Sequence, residues 1–109
     1  MRLVITMVQD QDVSKLLEVL TDNNYSATKL ASTGGFLRQG NTTLLIGVED
    51  DKVDEVTELI KHTCQTRKQL VNPLASVGRS MNSYIPDPVE VQVGGATIFV
   101  VDVVDFVKI

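Results

Sequence analysis

Two apolar stripes at helical spacing constrain this chain most, because they can cover only one face of whatever sheet the rest of it builds. Val13, Leu16, Leu17 and Leu20 stand at i, i+3, i+4 and i+7, one side of a helix. Val53, Val56, Ile60 and Cys64 repeat the period and predict a second helix ending near Gln65. Asp10 or Asp12 is placed to cap the first helix, since a carboxylate accepts a free N–H of the first turn and suits the helix dipole. Asn23-Asn24 ends that helix, and Glu49-Asp50-Asp51 puts acid at the start of the second. The uncovered sheet face needs another partner, and for 109 residues a second copy is the simplest supply.

The strands follow from the segments between. Leu3 to Val8 is apolar on both faces, as expected of a central, covered strand. Tyr25 to Thr33 reads as a second strand, Gly34 to Gly40 as a glycine-bracketed turn, and Asn41 to Val48 as a third strand. Thr66 to Pro88 holds Pro73, Gly78, Pro86 and Pro88 and carries the weakest signal for regular structure. A loop of that length in a small domain is usually functional or disordered. Val89 to Val93 alternates and so covers one face only, whereas Ala96 to Val104 is apolar on both faces and is expected to be buried. The Gly94-Gly95 link between them predicts a tight hairpin. The order β-α-β-β-α-β, with an extra strand before the last, is the α+β, ferredoxin-like split βαβ arrangement of one domain, residues 1–109.

Composition excludes several roles. Ten basic against fourteen acidic residues give a net charge of −4, without the clustered cations that DNA, RNA or an anionic membrane would require. Leu3–Val8 is too short for a signal-peptide core, and Val91–Val101 is broken by Gly94-Gly95, so neither membrane insertion nor export is expected and the chain reads as cytoplasmic. Cys64 is the only cysteine, which precludes an intrachain disulfide and a cysteine-based zinc site. His62, the only histidine, lies two residues from Cys64, so on a helix the two side chains diverge and form no nucleophile–base pair. No catalytic set, metal site or cofactor is expected.

The glycine turn carries more information. Gly35 to Thr42 has the glycine spacing of a phosphate-binding G-x-x-x-x-G-K-[ST] loop, but Asn41 stands in the lysine position and a β-branched strand follows in place of a helix. It is not a nucleotide-hydrolysing loop, although its backbone amides remain able to meet an anion. Phe36 and Leu37 put apolar bulk at the tip in a chain with only five aromatics. Phe36 either fills an oligomer interface, folds back on the sheet, or serves as a stacking platform for a base. Asn41 is either a turn residue or an amide matched to an adenine edge. Thr28 offers a hydroxyl nearby or fits the pleat, and Gly47 within a strand suggests a bulge or the close approach of another group.

The segment ATKLASTGGFLRQGNTT, Ala27 to Thr43, resembles the hallmark of the PstA/DarA family, PII-like receptors for cyclic di-AMP in Gram-positive bacteria. Val8 to Asp12, Ser83 to Pro86, Pro88 to Val91 and Val93 to Val100 extend the likeness over essentially the whole chain. It implies a homotrimer with one cyclic dinucleotide in each cleft between subunits. Positions implied to meet the ligand are Asn24, Thr28, Gly35, Phe36, Leu37, Asn41, Gly47 and Phe99. On this likeness Phe36 and Leu37 pack on one adenine, Asn41 reads its edge, and Thr28 with backbone amides meets phosphate or ribose. Residues 34–40 correspond to a shortened T-loop and 66–88 to an enlarged B-loop. The chain departs from the family pattern at Ser26, where relatives often carry an arginine able to fork onto phosphate. It departs again at Val77-Gly78-Arg79 and in the tail Phe106-Val107-Lys108-Ile109. Lys108 or Arg79 is placed to restore the missing positive charge. The implied role is a non-enzymatic receptor acting on a downstream protein. The alternative is a PII-like interaction module with lost or altered nucleotide specificity.

Overall fold

The computed structural model describes residues 1–30, 40–71 and 88–109. A four-stranded antiparallel sheet forms the body from β1 (Arg2–Gln9), β2 (Ala27–Lys29), β3 (Asn41–Val48) and β6 (Ala96–Asp102), in the order β2-β3-β1-β6. Helices α1 (Asp10–Asp22) and α2 (Val53–Cys64) lie together on one face, which gives the ferredoxin-like arrangement. Strands β4 (Arg67–Val71) and β5 (Val89–Val93) pair into a separate two-stranded sheet, from Arg67 opposite Val93 to Val71 opposite Val89.

Strict alternation along β1 and β3 sorts their side chains. Val4 and Val8 of β1, with Leu44, Ile46 and Val48 of β3, meet Val13, Leu16 and Leu20 of α1 and Val56, Ile60 and Cys64 of α2 in one buried core. Thr6 is also fully buried on that side, and its hydroxyl lacks a partner.

Helix α1 begins without a spacer after β1. Its N-cap is Gln9, which makes no side-chain cap bond, so neither Asp10 nor Asp12 takes the expected capping role. Their carboxylates are committed elsewhere: Thr42 Oγ1 donates to Asp10 Oδ1 at 2.5 Å, and the buried Asp12 pairs with Arg67 Nη2 at 2.6 Å. The helix closes at Asn24, whose φ of 68° is the left-handed conformation that asparagine tolerates. Tyr25 N–H donates back to Leu20 O at 2.8 Å.

Four expectations need correction. The second strand covers only Ala27–Lys29, shorter than Tyr25–Thr33, with residues 31–33 outside the described ones. The segment from Thr66 to Pro88 opens with a real strand, β4, whose polar Arg67-Lys68-Gln69 gives no apolar period; β5 supplies its pairing. Gly94-Gly95 is not a hairpin turn, since β5 pairs with β4 and β6 pairs with β1 over seven residues. The two glycines, at φ 90° and 96°, are a crossover between the sheets. Gly94 N–H donates to Gln9 Oε1 at 2.8 Å and Gly95 N–H to Cys64 O at 2.5 Å, which ties that crossover to the ends of β1 and α2. Finally, β6 is not buried: among the described residues it is an edge strand, with Phe99 53%, Val100 39% and Val101 41% exposed. The apolar run predicted burial that a single chain does not supply.

Candidate functional site

The sheet register gathers the sequence-predicted residues on the face that the helices leave open. Cross-strand partners share a face, so Thr28, Leu45, Ile5 and Phe99 form one row across β2, β3, β1 and β6. Gly47, Leu3 and Val101 form the next, and Asn41 stands opposite Gln9 at the far end of β3. Thr28 and Phe99 are three strand spacings apart, about 14 Å, and Asn41 lies four residues along β3 from the Thr28 row, about 13 Å. One small group cannot touch all of them within one chain.

Ser26, Thr28, Gly47 and Lys108 do come together. They line a groove of about 560 Å³ with Leu3 and Phe106. Contacts between the start of β1 and the end of β6 build it: Val103 N–H donates to Met1 O at 3.2 Å, and Arg2 Nε contacts Asp102 at 2.9 Å and Asp50 at 3.4 Å. Asp50 also receives the N-terminal ammonium at 3.0 Å, and that hydrogen bond and charge, with Arg2 behind them, hold its carboxyl below the usual range. The tail therefore leaves β6 beside the start of β1, and residues 106 and 108 reach back over the open face. Among the described residues the lining carries two hydroxyls and one side-chain cation, and no carboxylate; Met1 also lines it, its ammonium paired with Asp50.

Gly47 sits in unbroken register with Leu3, so the suggested bulge is absent. A Cβ built on it meets nothing within 4 Å, which leaves open space above the backbone at the groove wall. Asn24 falls in a different cleft of about 580 Å³. Asp22, Glu49 and Glu55 outnumber Lys52 there, an unfavourable setting for phosphate. In the same cleft Tyr25 donates to Glu55 Oε2 at 2.8 Å; partial burial first, then that carboxylate, push its phenol up to about 12. Asn41 lines a depression of about 280 Å³ with Gln9, Gly94, Gly95 and Thr97. Gly35, Phe36, Leu37 and Arg79 lie outside the described residues.

The lining residue that sequence reading missed is Phe106. It lies in the tail beyond β6, where no regular period tells which residues share a side. The chemistry available to His62 and Cys64 is limited: the histidine is exposed on α2, while burial, with Asp12 adding to it, pushes the thiol up to about 11 and keeps it neutral. Among the described residues no cluster of three metal-ligating side chains forms, and no helix is long and apolar enough to cross a membrane.

Known proteins give the same frame. A crystal structure of a functionally unknown protein from Pediococcus pentosaceus is similar over 99% of this chain and 96% of its own, at 42% identity and a TM-score of 0.78. The family described as cyclic-di-AMP receptor matches residues 1–109. With that match running from end to end, over the hydroxyl-lined groove and the amide at Asn41 alike, the chain belongs to the cyclic-di-AMP receptor family.

Proposed function

We propose that the protein is a cytoplasmic, non-enzymatic signalling receptor of PII-like design. It assembles as a homotrimer, binds cyclic di-AMP at the subunit junctions, and orders residues 34–40 and the part of 66–88 beyond β4 on binding. The observation that carries this reading is the groove of Ser26, Thr28, Gly47 and Lys108, a cationic, hydroxyl-bearing recess at the edge of an apolar sheet face. Thr28 or Ser26 donates to a phosphate oxygen, Lys108 offsets its charge, and the apolar row through Leu45 and Phe99 faces a second copy. The spread of Thr28, Asn41 and Phe99 over more than 10 Å favours a dinucleotide, or a ligand held between copies, over a mononucleotide held by one chain. Phe36 and Leu37 stack on an adenine, Gly35 and Gly47 complete the cleft, and Asn24 borders it from the neighbouring recess that Gly47 also lines.

Ligand ordering of the two loops displays a different surface to a downstream protein, which requires the ligand to bind the two loop states unequally. Ser26 favours a second reading, an interaction module with altered nucleotide preference, because it lines the groove and leaves Lys108 as the side-chain cation there among the described residues.

Calorimetric titration with cyclic di-AMP, beside light scattering for the mass of the assembly, tests the receptor. Saturable heat is expected, with Asn41→Ala weakening binding by about 1–3 kcal/mol. Neither heat nor thermal shift at near-millimolar ligand overturns it and leaves the interaction module.

A further inference from the structure

One side chain beside Asn41 has its carbonyl committed and only donors left to offer. Gln9 ends β1 directly opposite Asn41, and partners of this kind hold their Cβ atoms about 5 Å apart, within the width of a purine. Gln9 Oε1 accepts from Gly94 N–H at 2.8 Å and from Gln11 Nε2 at 3.3 Å. A backbone N–H can only donate, so the atom facing Gly94 must be the amide oxygen, and the orientation of the group is fixed by chemistry. Among the described residues the remaining capacity of Gln9 is the two N–H bonds of Nε2. Gln9, Asn41, Gly94 and Thr97 line the same depression on the open face.

We propose that Gln9 is a second amide of the ligand site, donating from Nε2 to an acceptor atom of the purine whose edge Asn41 reads. The inference rests on the receptor reading and deepens it. A bidentate asparagine engages the N6 donor and N7 acceptor of adenine, whose N1 and N3 remain acceptors, and a neighbour able only to donate complements them. Donation through Nε2 also polarises the amide and strengthens acceptance at Oε1. Ligand contact and the Gly94 contact therefore reinforce one another, and Gly94 roots β5.

The test uses the full chain and cyclic di-AMP. Gln9→Glu keeps an acceptor for Gly94 and removes both donors; it is expected to weaken binding about tenfold while the melting temperature holds. Gln9→Met, which removes the acceptor as well, is expected to weaken binding at least as much and to lose protection of the Gly94 amide from hydrogen exchange. In the unmutated protein the Gln9 side-chain amide resonances are expected to shift on saturation, a change that a purely structural role would not produce. Unmoved resonances, or equal affinity for the unmutated protein and Gln9→Glu, overturn the proposal while the receptor stands. No binding by the unmutated protein overturns the receptor reading itself. Variants that fail to fold leave the decision to the resonance shift.

Discussion

Gly47 has no conformational need to be glycine. Its φ is not in the left-handed region, β3 runs through it in register, and a Cβ there meets only open space. A side chain is therefore compatible with the single chain, and its cost falls on whatever enters the groove. Gly47→Ala is expected to leave the melting temperature unchanged and to weaken cyclic di-AMP by about 1–3 kcal/mol, read by paired thermal and calorimetric titrations. Tyr25 gives a pH signature at the same scale. A folded-state pKa of about 12 against the ordinary 10.0 means the fold holds this proton more tightly than the unfolded chain does. That contribution is complete below pH 10 and is lost as pH rises from there towards 12. Tyr25→Phe is expected to flatten the alkaline fall in stability over this window, measured by denaturant titration at stepped pH. An unchanged alkaline limb would assign the fall to other groups.

At the scale of elements, the crossover at Gly94-Gly95 decides how two sheets share one chain. A Cβ on Gly94 would collide with Gln65 O and stand 2.8 Å from Arg67 Nη1, whereas one on Gly95 meets Thr66 Oγ1 at 3.4 Å. Both alanines are strained by φ, but Gly94 also collides with backbone that cannot yield. Gly94→Ala is expected to cost about 2–4 kcal/mol and Gly95→Ala clearly less, by chemical denaturation. This crossover also shows why part of the fold was not legible. The helices and β1 and β3 were, because Val13, Leu16, Leu20 and the Val4-Thr6-Val8 alternation bury against each other within one chain. The two-glycine signal is local, whereas the partner of β6 is chosen by the free edge of β1, far away in sequence. Strand β4 stayed hidden because Arg67, Lys68 and Gln69 are held by pairing rather than by burial. On the open face, parity alone unites Thr28, Gly47 and Phe99 once the register is known, and the resemblance named them before it was. Phe106 escaped both, since no period marks an irregular tail.

At the scale of the whole molecule, the helices finish only half of the task. Val101, 41% exposed beside Leu3, and Phe99, 53% exposed beside Ile5, belong to an apolar face that a single chain leaves wet. If copies cover it, a charge there must split them. Val101→Asp is expected to lower the mass seen by light scattering to that of one chain and to abolish cyclic di-AMP binding together with assembly. A variant that stays assembled would move the subunit contact away from this face. The free margin of β6 reaches further, into how such a protein comes into being. A strand of apolar and β-branched residues, with no partner along one side among the described residues, is a template on which a stray extended segment can grow. If copies do assemble through this face, newly made chains run a race between finding their siblings and sticking to strangers, and cellular abundance sets the odds before any messenger arrives.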